Sequence, residues 1–173
     1  MKILQVIHSV NPKGGGPIEG IKQLIPALSA RGIDTEVMCL DAPDASWTAD
    51  FPVPLFPLGR KASAYGYSPL AVPWLRANRG RYDAVIANGL WQYTSFAVWR
   101  AFRNTRQAYY VYPHGMLDPW FKHQYPAKHF KKWLYWPWAE YRVLRDAAAV
   151  LFTSEEERLQ ARKSFWLYRC DER

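Results

Sequence analysis

Four places in this chain hold residue types that could do chemistry. Gly14-Gly15-Gly16-Pro17 follows a short apolar run, Lys2–His8. Glycines there let a backbone approach a ligand closely, and the free N–H groups of a helix opening after them favour an anion such as phosphate. The loop is not a Walker A motif, since no Gly-Lys-Ser/Thr follows. Nor is it the dinucleotide fingerprint: Gly14 and Gly16 fit, but Glu19 stands where the third glycine belongs. Read alone, it serves equally as a tight turn. Asn88, His114 and Asp118 are the other three. Each lies in a polar turn directly after an apolar, β-branched or aromatic run. A histidine at such a turn can hydrogen-bond a sugar hydroxyl or phosphate, or carry a proton; it can equally satisfy loop carbonyls.

Whether these turns meet depends on the elements beneath them. Strands are expected at Lys2–His8, Asp34–Leu40, Leu55–Leu58, Asp83–Ala87, Gln107–Tyr112 and Ala147–Phe152. Helices are expected at Ile18–Arg31 with Pro26 inside, from Ser68 onward, and at Trp91–Arg103. A long helix, Ala127–Arg145, is divided or kinked at Pro137, and another runs from Ser154 to the end at Arg173. Ser154 and Glu157 have capping-box spacing. Strand and helix alternate throughout, so the fold class is α/β: a Rossmann-like parallel sheet with helices on both faces. Ligands of such sheets bind beyond the carboxyl ends of the strands. That rule brings Gly14, Gly15, Gly16, Asn88, His114 and Asp118 to one crevice.

The motifs also form an ordered series. The glycine loop is followed by Asp-Ala-Val-Ile-Ala-Asn-Gly-Leu-Trp from residue 83. Pro-His-Gly-Met-Leu-Asp-Pro-Trp follows from residue 113, and Asp-Ala-Ala-Ala-Val-Leu-Phe-Thr-Ser-Glu-Glu-Glu from residue 146. The series resembles the N-terminal domain of family 4 glycosyltransferases of the GT-B fold, and the segment from residue 113 resembles their bacterial exopolysaccharide and lipopolysaccharide branch. The resemblance implies one acceptor-side domain, residues 1–173, and a donor-binding C-terminal domain absent from this chain. For the full protein it implies a retaining hexosyltransferase-type activity with a nucleotide-sugar donor and a glycan or lipid-linked acceptor. This chain alone is expected to be inactive. His114 matches the histidine that contacts the transferred sugar. Gly14, Gly15 and Gly16 match the loop near the diphosphate and acceptor. Many relatives carry His-Gly where Asn88-Gly89 stands, so proton transfer at Asn88 is put in doubt, while Asn88 and Asp118 remain substrate-binding candidates. No cofactor is expected, and no Asp-X-Asp metal motif is present.

Composition sets wider bounds. The formal charge is +8, with 49% hydrophobic and 16% aromatic residues. The charge favours anionic partners without choosing among them. Much of it falls in residues 119–145, where Lys122, Lys128, Lys131, Lys132, Arg142 and Arg145 oppose Glu140. Phe130, Trp133, Leu134, Trp138, Tyr141 and Leu144 keep helical spacing there. Such a helix packs its apolar stripe on the core with its lysines in solvent, or meets an anionic membrane surface. No nucleic-acid motif supports the third option. Cys39 and Cys170 form neither a disulfide framework nor a zinc motif. No signal peptide or spanning segment is evident, so the cytoplasm is the default compartment, with a peripheral place on the inner membrane face as a variant. The alternative to an enzyme is a phosphate- or glycan-binding module, or a basic membrane-surface adaptor.

Overall fold

The computed structural model describes residues 1–60 and 64–173, without the side chains of Phe121 and His123. The strands are β1 (Lys2–Ile7), β2 (Asp34–Cys39), β3 (Leu55–Pro57), β4 (Ala84–Asn88), β5 (Tyr109–Tyr112) and β6 (Ala149–Val150). They form one sheet in the order β3-β2-β1-β4-β5-β6, every pairing parallel. This is the doubly wound α/β arrangement, and its strand order reverses between β1 and β4.

The sheet is covered on both faces because its strands alternate between two apolar sets. Helix α1 (Gly16–Ser29) packs Ile18, Ile21 and Ile25 against Ile7, Val37 and Cys39. Leu4, Val6, Met38 and Val85 point the other way, into a larger core with α2 (Ala71–Asn78), α3 (Tyr93–Phe102) and the later helices. Pro26 sits within α1 without ending it. Cys39 is a fully buried free thiol whose burial raises its pKa.

Several boundaries differ from expectation. The helix expected from Ser68 does not start there. The Ser68 hydroxyl donates to the Leu58 carbonyl at 2.5 Å and accepts from the Leu70 amide, and the helix begins three residues later. The loop expected over Gly59–Tyr67 includes residues 61–63, which lie outside the described residues. The basic aromatic stretch is not one helix but α4 (Trp120–Gln124), α5 (Pro126–Tyr135) and α6 (Glu140–Arg145). The break before α6 falls at Pro137, whose ring and missing N–H end α5. Helix α7 (Glu155–Ala161) stops well short of Arg173. The segment beyond it turns back onto β6: the Val150 amide bonds Asp171, and the Phe152 amide bonds Arg173.

Of the two readings of the apolar stripe, the structure departs from the core-facing one over its first half. Phe130, Trp133, Leu134 and Trp138 are all exposed, and α5 has no buried residue. The face of α5 turned to the protein carries its polar and basic groups instead. His129 stacks on Phe165, Lys132 lies 4.6 Å over the Trp91 ring, and the Tyr135 hydroxyl meets that of Tyr65 at 2.7 Å. Trp136, fully buried just after α5, pins the segment by stacking on Phe165 and donating Nε1–H to the Leu167 carbonyl.

Candidate active-site cleft

At the carboxyl edge of the sheet a cleft of about 710 Å³ opens between α1 and α7. Its floor is Gln5, Ile86, Asn88 and Tyr112; its rim includes Gly16, His114, Asp118 and Glu157. It straddles the β1/β4 reversal, where ligands of such sheets bind. The turns after β4 and β5 do meet there, as do the start of α1 and the start of α7.

The glycine loop is divided in its contribution. Gly16 lines the cleft, whereas Gly14 and Gly15 do not. Gly14 closes a 3-10 turn with its amide on the Asn11 carbonyl and lies against Ile18. Gly15 shapes the loop: its φ of 77° and ψ of −144° suit glycine alone. Asp41 holds the loop's start by accepting from Ser9 Oγ and the Val10 amide. Helix α1 starts with no side chain accepting from its first amides.

Asn88 and His114 form one unit. Asn88 ends β4, opposite Ile7 on one side and Tyr112 on the other. It is buried, and its amide nitrogen faces the Gln5 Oε1 at 2.8 Å and the carbonyls of Ile86 and Val6 at 3.3 and 3.5 Å. Three acceptors around one nitrogen fix the amide's orientation. Its oxygen therefore faces His114 Nε2 at 3.0 Å, and that nitrogen must carry the hydrogen. The neutral imidazole is left with an accepting lone pair on Nδ1. Burial lowers the His114 pKa below its ordinary 6.5, against a smaller opposing pull from Glu157. The ring stacks on Tyr112, with centroids 4.2 Å apart. Both His114 and Gly115 take positive φ, 52° and 74°, a left-handed pair that turns the chain sharply after β5. For a histidine this conformation is sparsely populated.

What holds that turn is a residue whose sequence pattern reads only as a helix cap. Ser154 Oγ does cap α7 by accepting from the Glu157 amide. The Glu157 carboxylate, however, accepts from the Gly115 amide at 2.6 Å and from both the amide and hydroxyl of Thr153. It thus ties the His114 turn to the turn after β6. Gln5 also escaped notice, though a polar residue within the otherwise apolar Ile3–Ile7 run is itself a signal. Asp118 is exposed at the rim, where its carboxylate accepts from the Trp120 amide and starts α4.

The cleft's electrostatics are opposite to those of the chain. Asp118, Glu156 and Glu157 line it, and none of the described lining residues is Lys or Arg. Among the described residues no cluster of His, Cys, Asp and Glu could hold a metal ion, and no helix is long and apolar enough to cross a membrane.

A Rossmann-like parallel sheet with a cleft at its strand-order reversal defines a doubly wound α/β domain. Residues 15–167 match the glycosyl transferase 4-like domain family, and the chain belongs to it. Among solved structures it is similar to sucrose-phosphate synthase from Thermosynechococcus elongatus, with 17% identity and a TM-score of 0.64. That match covers 100% of this chain and 47% of the synthase, so the chain spans about half the length of the protein it resembles. A second sucrose-phosphate synthase structure from the same organism matches with 15% identity and a TM-score of 0.59, covering 99% of this chain and 86% of that one. No curated protein matches the chain in sequence.

Proposed function

We infer that the chain is the acceptor-side half of a retaining glycosyltransferase, working with a second, donor-binding domain. It moves a sugar from a nucleotide-sugar to a glycan or lipid-linked acceptor in surface polysaccharide assembly. The observation that carries this reading is the Gln5–Asn88–His114 relay at the cleft floor. It presents a neutral imidazole whose Nδ1 acceptor has no partner among the described residues, suited to an uncharged sugar hydroxyl rather than to a phosphate. The relay also gives Asn88 a role: it orients His114, with no proton to transfer itself.

The cationless lining supports a division of labour between two walls. The leaving diphosphate needs preorganised donors. The first amides of α1 and its helix dipole offer some of them. The cations fall to the donor-binding domain.

Steady-state transfer by the full-length protein, over a panel of nucleotide-sugars, tests the site. His114→Ala should lower kcat/KM roughly a hundredfold, the scale of one lost preorganised contact. The wild-type rate should hold from pH 8 to 7 and fall only once His114 takes up a proton below its ordinary 6.5. Turnover untouched by His114→Ala would remove the assignment. Nucleotide-sugar or glycan binding without turnover would make the domain a binding module.

A further inference from the structure

Helix α5 is amphipathic and faces the wrong way for a core helix. Pro126, Ala127, Phe130, Trp133 and Leu134 fall at i, i+1, i+4, i+7 and i+8, one continuous stripe. All of them are exposed, Phe130 to 60%, Leu134 to 51% and Trp133 to 44%. The stripe extends beyond the helix. Phe130 stacks on Trp133, and Trp133 meets Trp166 of the C-terminal segment at 6.5 Å. Trp166 is itself 65% exposed. The orientation is enforced from inside, because His129, Lys132 and Tyr135 are held by Phe165, Trp91 and Tyr65. Rotating the stripe inward would break all three contacts and move a lysine off an aromatic face.

The surroundings of the stripe specify what it meets. Residues 119–139 contain four lysines and no Asp or Glu. Lys122, Lys128 and Lys131 are exposed. A second copy of this chain, or a basic partner, would bring like charges together around an apolar contact. A surface that is anionic outside and apolar beneath matches both features. We propose that the α5 stripe, with Trp166, docks the protein on an anionic lipid bilayer, the rings entering the interface and the lysines pairing with headgroup phosphates. The placement suits a cleft that takes a lipid-linked acceptor, since Asp118 on its rim is followed two residues later by Trp120 of α4. The docking itself does not depend on the cleft's chemistry.

Flotation of the protein with vesicles of phosphatidylcholine alone, or with phosphatidylglycerol added, tests this at low salt. Binding should require phosphatidylglycerol, and tryptophan emission should shift to the blue on binding. Exchanging Lys122, Lys128 and Lys131 together for Gln should weaken it roughly a hundredfold, from about tenfold or less per lysine. Phe130→Ser with Trp133→Ser should abolish it. These side chains are exposed, so thermal melting of both variants should match wild type, which separates lost docking from lost folding. Three results would overturn the proposal. One is absence of flotation with phosphatidylglycerol. Another is equal flotation of the serine variant. The third is a concentration-dependent dimer in sedimentation that the serine variant abolishes, which assigns the stripe to a second copy.

Discussion

Glu140 offers the sharpest test of how the aromatic segment is fastened to the sheet. Its carboxylate is fully buried at the start of α6. Oε1 accepts from the Trp91 amide at 2.7 Å and from Ser95 Oγ at 3.1 Å, and Oε2 has no hydrogen-bond partner among the described residues. Trp91 itself stands at φ 69°, so this bond helps hold a strained backbone. Burial pushes the Glu140 pKa from its ordinary 4.5 up to about 7, despite those two hydrogen bonds and the opposing charge of Lys132. Between these values the folded protein keeps the proton and the unfolded chain has lost it. Stability from this group is therefore complete below pH 4.5 and is lost as pH rises through 7. The loss is about 3 kcal/mol, at roughly 1.4 kcal/mol per pH unit. Glu140→Gln copies the protonated form: one oxygen still accepts both bonds, and an amide occupies the unpartnered position. Thermal unfolding of both proteins from pH 4.5 to 8 measures the effect. Other titrating groups, among them Glu36, Asp146 and His114, are common to both and cancel in the difference. The melting temperature of the variant should gain on wild type by about 6–12 °C over that range, for a domain of this size. Parallel curves would refute the reasoning, showing that Glu140 titrates in the folded protein as it does in the unfolded chain.

Two further perturbations address the cleft. At Gly15 an added Cβ meets nothing within 4 Å, so Gly15→Ala isolates backbone strain; denaturant melts should show a loss of about 1–3 kcal/mol, and an unchanged midpoint would contradict the assigned conformation. Glu157→Ala strips the acceptor from the Gly115 amide and from Thr153, and should cost about 1–3 kcal/mol with faster amide exchange at Gly115. Unaltered exchange there would mean that the His114 turn holds itself.

The sheet was legible in sequence because its strands are short apolar runs bounded by turn residues, and parallel strands buried on both faces must read that way. The meeting of Asn88 and His114 followed from the same reading, since parallel strands deliver their end turns to one edge. Two things were not settled there. Glu157 satisfies a local pattern, Ser154 to residue 157, so its long-range bond to Gly115 leaves no separate trace. The direction of the α5 stripe stayed open between core and surface for a deeper reason. Periodicity identifies an apolar stripe but not which way it faces, and the usual inference assumes that water is the only alternative to the core. Here the direction is set by contacts distant in sequence, Lys132 with Trp91 and Tyr135 with Tyr65.

The direction of the stripe also gives the chain's charge a meaning that composition could not. A net +8 invites the thought of a phosphate-binding cleft. Yet the charged residues of the cleft lining are the carboxylates Asp118, Glu156 and Glu157, and three exposed lysines, Lys122, Lys128 and Lys131, lie on or beside α5. Had the cations lined the cleft, burial and mutual repulsion would have cost affinity for an uncharged sugar while attracting free phosphate as a competitor. Placed outside, they raise the local concentration of anionic surfaces without contesting the sugar's hydroxyl contacts. The two predictions are consequently separable. Neutralising the α5 lysines should leave the pH profile set by His114 unchanged, and His114→Ala should leave vesicle flotation unchanged. If one substitution moved both readouts, cleft and stripe would be a single site, and the partition of charge argued from their separate linings would be wrong.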